Sequence, residues 1–292
     1  MTTAVETRVG DRDGWRLANA GAEAFVIARP YPRVVSFRLA GGESPLRTSA
    51  TDPFFGVRTW FLEPVQLETA PLPALQPAEA EARPDGSLRL VAAVEPTTRL
   101  QVVQDIALDP VRPALHIRHG LVNHATRVRR LAAWAINVVP HAGVAVTPWA
   151  GSAGLIRSLL FFHTHPGDPA VRLGMRALGV DFRVPPACGW VKVGTNSDAG
   201  WGAYLWAGGA LCSHVPYEAG REYPEGGGSV TFYSSGRTPD QGFCEIENVG
   251  PLTDVPPGGT VELAQTLELI PGPAPSGNDP DAWLAAIEAA RR

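Results

Sequence analysis

The chain has 292 residues, 45% hydrophobic and 18% charged, a balance that excludes a disordered or heavily solvated polymer and predicts a sizeable core. Its 25 basic and 29 acidic residues leave a net charge of −4 with no long run of one sign, so nothing draws a polyanion and nucleic acid is not an expected partner. No run of about 18 apolar residues reads as a membrane span, and Met1-Thr2-Thr3-Ala4-Val5-Glu6 lacks the basic start and apolar stretch of a secretory leader, so a cytoplasmic location without a membrane partner is expected.

The 31 glycines and 28 prolines break up long helices and suit many strands joined by turns. Trp15 with Leu17, Phe25 with Ile27, and Val35 with Phe37 and Leu39 alternate as three early strands, the first two parted by Asn19-Ala20-Gly21. Pro71 to Pro77 reads as an extended proline-rich connection. A hairpin is expected around Pro84-Asp85-Gly86, ahead of Leu88-Arg89-Leu90-Val91. Leu100, Val102, Ile106 and Leu108 share one face of a strand, broken by Gln104, and Leu115, Ile117, His119 and Leu121 share a face of the next. Leu155 to Pro186 reads as a long excursion from the sheet, with a strand-like Leu159-Leu160-Phe161-Phe162 and a loop over His163 to Pro169. Val261, Leu263, Leu267 and Leu269 mark the last strand, interrupted by Gln265. One helix is expected at the end, with Asp279 as cap, Pro280 in the first turn and Trp283, Ile287 and Ala290 on one stripe, closing an end of the fold. The fold class is therefore all-β: antiparallel sheets in one domain spanning residues 1–292, with a short C-terminal helix.

Three stretches carry a family resemblance. Gly14-Trp15-Arg16-Leu17-Ala18-Asn19 leads to Val34-Val35-Ser36-Phe37, and Leu121-Val122-Asn123-His124-Ala125-Thr126 leads to Ala133-Trp134-Ala135-Ile136-Asn137. The most specific runs from Lys192-Val193-Gly194 through Gly200-Trp201-Gly202-Ala203-Tyr204 to Glu245-Ile246-Glu247-Asn248-Val249-Gly250-Pro251-Leu252 and Pro257-Gly258-Gly259. Together they resemble the galactose mutarotase-like superfamily, in particular its members with a domain of unknown function. The resemblance implies a large β-sandwich that binds a small carbohydrate on the concave face of one sheet, and an isomerase activity of the aldose 1-epimerase type. Fold alone does not fix chemistry, since lyases, epimerases and binding-only proteins share it.

In mutarotases of this superfamily a glutamate is the general base on the anomeric hydroxyl and a histidine protonates the ring oxygen, because opening a hemiacetal removes one proton and adds another. Strand period 2 sends Glu245 and Glu247 to one side with Phe243, and Cys244 and Ile246 to the other. These two glutamates are the candidate bases; a solvated strand face is the plainer reading. The family's proton donor starts a motif whose best match here is Ala133-Trp134-Ala135-Ile136-Asn137-Val138, with alanine in place of histidine. His141, just beyond that strand, and His214 are the candidate replacements. For substrate contacts the candidates are Arg58, Trp60, Asn137, Lys192, Trp201 and Phe243. A guanidinium offers paired donors to hydroxyls, and an indole ring stacks on a pyranose; the alternatives are a salt bridge from Arg58 to Glu63 and ordinary core tryptophans.

Three cysteines, Cys188, Cys212 and Cys244, match neither zinc nor disulfide spacing and read as buried thiols. Cys212 and His214 would share a strand face, which leaves a reactive thiol as a minor alternative. His163-Thr164-His165 lies in a loop with no third ligand at a telling spacing, and Gly226-Gly227-Gly228 does not lead from strand to helix, so no metal and no cofactor is expected. The competing functions are a sugar epimerase, a sugar-binding protein without turnover, and an interaction module anchored by Trp60, Trp201 and Phe243. Oligomeric state is left open.

Overall fold

The computed structural model describes residues 3–9, 11–50, 52–64, 73–149, 159–162, 167–236, 242–272 and 277–291. The first half contributes β1 (Ala4–Val9), β2 (Arg12–Ala18), β3 (Ala22–Ile27), β4 (Arg33–Leu39), β5 (Val57–Leu62), β6 (Ala78–Ala82), β7 (Leu88–Ala92), β8 (Leu100–Leu108), β9 (Ala114–Asn123) and β10 (Arg129–Val139). After these come β11 (Val144–Pro148), β12 (Leu159–Phe161), β13 (Val171–Leu173), β14 (Ala177–Asp181), β15 (Trp190–Thr195) and β16 (Trp201–Trp206). The tail holds β17 (Gly209–His214), β18 (Val230–Ser235), β19 (Cys244–Val249), β20 (Thr253–Val255), β21 (Thr260–Pro271) and the helix α1 (Pro280–Ala290).

These strands form two antiparallel sheets. The first has the order β1-β2-β3-β4-β5-β10-β19-β18-β15-β12, with β20 paired to one end of β10. The second has the order β13-β14-β11-β16-β17-β21-β9-β8-β7-β6. Period 2 gives each strand one side for the interior: Ile246 and Phe232 of the first sheet pack in one cluster with Val180 and Tyr204 of the second. The opposite side of the first sheet is its outer face. Among the described residues no helix is long and apolar enough to cross a membrane.

The three polar residues that interrupt the apolar stripes of β8, β9 and β21 join one buried network between the sheets. Gln104 Nε2 donates to Thr59 Oγ1 at 2.9 Å, and that hydroxyl lies 2.7 Å from His119 Nδ1. His119 Nε2 lies 2.9 Å from Gln265 Oε1, while Gln265 Nε2 donates to Ser213 at 2.8 Å and to Asn137 Oδ1 at 3.1 Å. The amide of Gln265 thus presents oxygen to the imidazole, which assigns the ring hydrogen to Nε2 and makes Nδ1 the acceptor of the Thr59 hydroxyl. Burial pushes the pKa of His119 down to about 4, so the ring is neutral near pH 7. The network ties β8, β9, β17 and β21 of the second sheet to β5, β10 and β19 of the first, the strands that carry the candidate site.

Several expectations need correction. A fourth strand, β1, precedes the three read from the N-terminus, and Pro73–Leu75 is a 3-10 turn. Residues 71 and 72 of the proline-rich connection lie outside the described residues. The stretch read as an excursion returns to both sheets, since β12 extends the first and β13 and β14 border the second. The helix does not close an end. Trp283, Leu284 and Ile287 pack with Val144, Ala177 and Ala203 on the outer face of the second sheet, while Ala290 is exposed. Gly179 makes that seat possible: a Cβ there would stand 2.8 Å from the Trp283 ring. The Asp279 carboxylate accepts from the Asp281 N–H at 3.0 Å as a cap. Asp279→Ala is expected to lower stability by about 1 kcal/mol, read as a lower urea midpoint. Cys188 is exposed, whereas Cys212 and Cys244 are buried.

Candidate active site

Register places the site. Arg58 of β5 and Glu247 of β19 lie on either side of Ile136 of β10, and Glu245 pairs with Val138. On the far side of β19, Glu245 faces Tyr233 and Glu247 faces Thr231, and Lys192 of β15 is opposite Tyr233. Directly opposed residues share a sheet face, so Arg58, Glu245, Glu247, Thr231, Tyr233 and Lys192 all belong to the outer face of the first sheet. Cys244 and Ile246 point into the interior, as the strand period requires.

The two carboxyls are each met by a cation. Arg58 Nη2 donates to Glu245 Oε1 at 2.5 Å. Lys192 Nζ stands 3.5 Å from Glu247 Oε2 and 3.2 Å from Glu225 Oε2, and the Thr231 hydroxyl donates to Glu247. Exposure is only 5% for Glu245, 1% for Glu247 and 2% for Arg58, so these charges interact where water screens them little. Burial is the largest influence on Glu245 and raises its pKa; Arg58 opposes it, and the neighbouring Glu247 carboxyl raises it again. Burial pulls Lys192 down, yet Glu247 and Glu225 outweigh it and hold its pKa above the usual lysine value.

Aromatic rings wall the cluster. The Arg58 guanidinium lies 4.5 Å from the Trp60 ring and 5.1 Å from Phe54, and Lys192 lies 4.6 Å from Trp134. Phe243 stacks on Phe54 at 4.5 Å and tilts against Tyr233 at 5.5 Å. Gly242, at φ 102° and packed against the Ser235 carbonyl where a Cβ would be 2.2 Å away, permits the tight turn that delivers Phe243. Four buried donors here have no acceptor among the described residues: Arg58 Nε and Nη1, and the indole N–H groups of Trp60 and Trp134. A cleft of about 560 Å³, lined by Asn196, Tyr217, Tyr223 and Glu225 among others, touches the cluster at Glu225 alone. A larger cavity of about 1310 Å³ lies among the N-terminal strands, against Trp15, Tyr31 and Phe55, and contains none of these ionised groups.

Of the residues expected from the sequence, Arg58, Trp60, Lys192, Phe243, Glu245 and Glu247 come together. Arg58 pairs with Glu245 rather than Glu63, which is taken by Arg129 at 2.8 Å. Asn137 does not join them. Its side chain points between the sheets, donating to Ser213 at 3.1 Å and to the Ile246 carbonyl at 2.9 Å. Trp201 and His214 are cross-strand partners in the second sheet, on the face covered by α1, with Arg291 5.3 Å from the Trp201 ring. An interaction face built on Trp60, Trp201 and Phe243 together is thereby ruled out, because Trp201 lies on the second sheet under α1 while Trp60 and Phe243 share the first. Cys212 shares the His214 face, but burial pushes its thiol up to about 12, against a reactive thiolate. His141 lies past the end of β10 with Nε2 2.9 Å from the Ser235 carbonyl. Ala133 packs in the interior core, so a histidine there would not reach the outer face. His163 and His165 lie outside the described residues.

The sequence reading missed Glu225, Thr231, Tyr233, Trp134 and Phe54. Strand period alone pairs Thr231 with Tyr233 and sets Trp134 opposite in direction to Ala133. Glu225 sits at φ 53° in a turn before Gly226, and only its contact with Lys192 identifies it.

No protein-family model matches the chain, and no curated protein matches it in sequence. Solved structures do match in shape. A galactose mutarotase-like protein from Clostridium acetobutylicum aligns with a TM-score of 0.58 at 10% identity, over 93% of this chain and 99% of that one. A galactose mutarotase-like protein from Lactobacillus casei ATCC 334 gives 0.58 at 12% identity, over 91% and 99%. A TPR-domain containing protein from Parabacteroides distasonis ATCC 8503 gives 0.59 at 13% identity over 92% of this chain, which spans only 53% of that longer protein. The two sheets, their antiparallel order and the short terminal helix are the galactose mutarotase-like fold.

Proposed function

We propose that the protein binds a carbohydrate on the outer face of the first sheet, at Glu245 and Glu247, and interconverts the anomers of an aldose there. The observation that carries this reading is the buried carboxyl pair bracketed by Arg58 and Lys192, with four unused donors beside it. A sugar offers many hydroxyl and ring oxygens to such donors and hydroxyl hydrogens to carboxylates, while Trp60, Trp134 and Phe243 supply apolar contact. A glutamate held above the ordinary carboxylate range by burial is better matched to moving a proton at neutral pH.

Polarimetry on freshly dissolved α-D-glucose, α-D-galactose and a wider aldose panel tests this. Wild-type protein is expected to speed the approach to anomeric equilibrium, and the double variant E245Q/E247Q to lose at least about 100-fold of that rate. No acceleration with any aldose would contradict turnover. The second reading, sugar binding alone, is favoured by one feature: the partners of the carboxyls are Arg58 and Lys192, not an imidazole. It predicts a higher melting temperature with sugar present and no change in anomerisation rate.

A further inference from the structure

We propose that the cleft beside Glu225 is a second sugar subsite and that the ligand is a reducing oligosaccharide, with its reducing ring against Glu245 and Glu247 and the next ring in the cleft on Tyr217. This rests on the carbohydrate reading above and extends it from a single sugar to a chain of two or more rings. At about 560 Å³ the cleft falls within the range of about 300 to 1,000 Å³ usual for a small-molecule site. It meets the carboxyl cluster at one point. Glu225 lines the cleft with its Oε2 3.2 Å from Lys192 Nζ, which is itself 3.5 Å from Glu247 Oε2. One ammonium therefore joins the carboxylate that borders the cleft to a carboxylate of the site.

Local structure is committed to this join. Glu225 sits at φ 53°, uncommon for a residue with a side chain, and Gly226 and Gly227 follow at 79° and 103°. The Gly227 N–H donates to the Pro224 carbonyl at 3.0 Å and closes the turn that carries Glu225 to Lys192.

An aromatic platform stands in the same cleft. Tyr217 and Tyr223 stack with ring centroids 5.0 Å apart and planes 8° from parallel. Tyr223 is buried and its hydroxyl accepts from the Glu218 N–H at 2.9 Å, which fixes the lower ring, while Tyr217 is half-buried and lines the cleft. A ring held from behind loses little freedom when the flat face of a pyranose packs on it. Beside the platform, Asn196 Oδ1 has no donor among the described residues. An apolar ligand leaves that oxygen unmet, whereas a ring with several hydroxyls supplies a donor to it and to Glu225. Anomer interconversion needs a free anomeric carbon at Glu245 and Glu247, so the ring in the cleft lies on the non-reducing side.

Isothermal titration calorimetry of the full chain with matched pairs tests this: D-glucose against maltose, cellobiose and lactose, and D-xylose against xylobiose, each disaccharide carrying the named monosaccharide at its reducing end. In at least one pair the disaccharide is expected to bind at least about 10-fold tighter, and Tyr217→Ala to bring the ratio of the two affinities below about 2. Binding of disaccharides alone is the same gain in extreme form. Asn196→Ala keeps the tyrosine stack and is expected to lower the ratio by about 3-fold or more, so a poorly folded Tyr217→Ala does not leave the question open. Monosaccharide binding with no gain from a second ring in any pair overturns the subsite and leaves the parent reading standing. A gain that survives both substitutions places the second ring elsewhere and overturns it too. No binding of any of these sugars defeats the carbohydrate reading and the subsite with it.

Discussion

Arg58→Ala is expected to destabilise the protein by about 3 to 5 kcal/mol at pH 8, far more than the loss of a surface ion pair. Arg58 and Glu245 are both almost wholly buried, and removing the guanidinium strands a carboxylate among Phe54, Phe243 and Tyr233. The variant can escape part of this cost by keeping a proton on Glu245, so the loss should shrink toward pH 5. Adding E245Q to R58A removes the stranded charge and is expected to recover much of the stability, which a double-mutant cycle in urea measures as coupling. A loss of 1 kcal/mol or less at pH 8 would mean the pair is solvated after all.

The pH dependence of stability offers the second large effect, because two buried groups pull in opposite directions. His119 has a folded pKa of about 4 against an ordinary 6.5, so between those values the unfolded chain binds the extra proton and stability rises with pH by about 3 kcal/mol. Burial and the neighbouring Glu247 hold the Glu245 pKa above the ordinary carboxylate range, so above pH 4.5 the folded protein binds the extra proton and stability falls as pH rises. Between pH 4.5 and 6.5 the two slopes therefore oppose each other in the wild type. In E245Q only the imidazole remains, and urea unfolding is expected to show stability climbing steeply from pH 4.5 to 6.5. The same shallow slope in E245Q as in the wild type would contradict this balance.

Much of the fold was legible because most of it depends on local alternation. The stripes of β8, β9 and β21, the hairpin of β6 and β7, and the capped helix follow from period, turn residues and capping, all local. The run Phe243 to Glu247 was readable for the same reason, since its apolar and acidic positions alternate. Asn137 was misplaced because nearly all of β10 is buried, so its sequence shows no contrast between faces. Trp201 and His214 were misplaced because local pattern says nothing about which sheet a strand joins. The interruptions Gln104, His119 and Gln265 looked like unrelated flaws in three apolar stripes; their common purpose exists only once β8, β9 and β21 lie side by side.

A crystal structure with a bound aldose from the panel shows whether a sugar sits against Glu245 and Glu247. The sugar is expected on the outer face of the first sheet, with its oxygens within hydrogen-bond distance of Glu245, Glu247 and the Arg58 donors and its ring against Trp60 or Trp134. A sugar found instead in the cavity beside Trp15, Tyr31 and Phe55, with the carboxyl pair untouched, would contradict it.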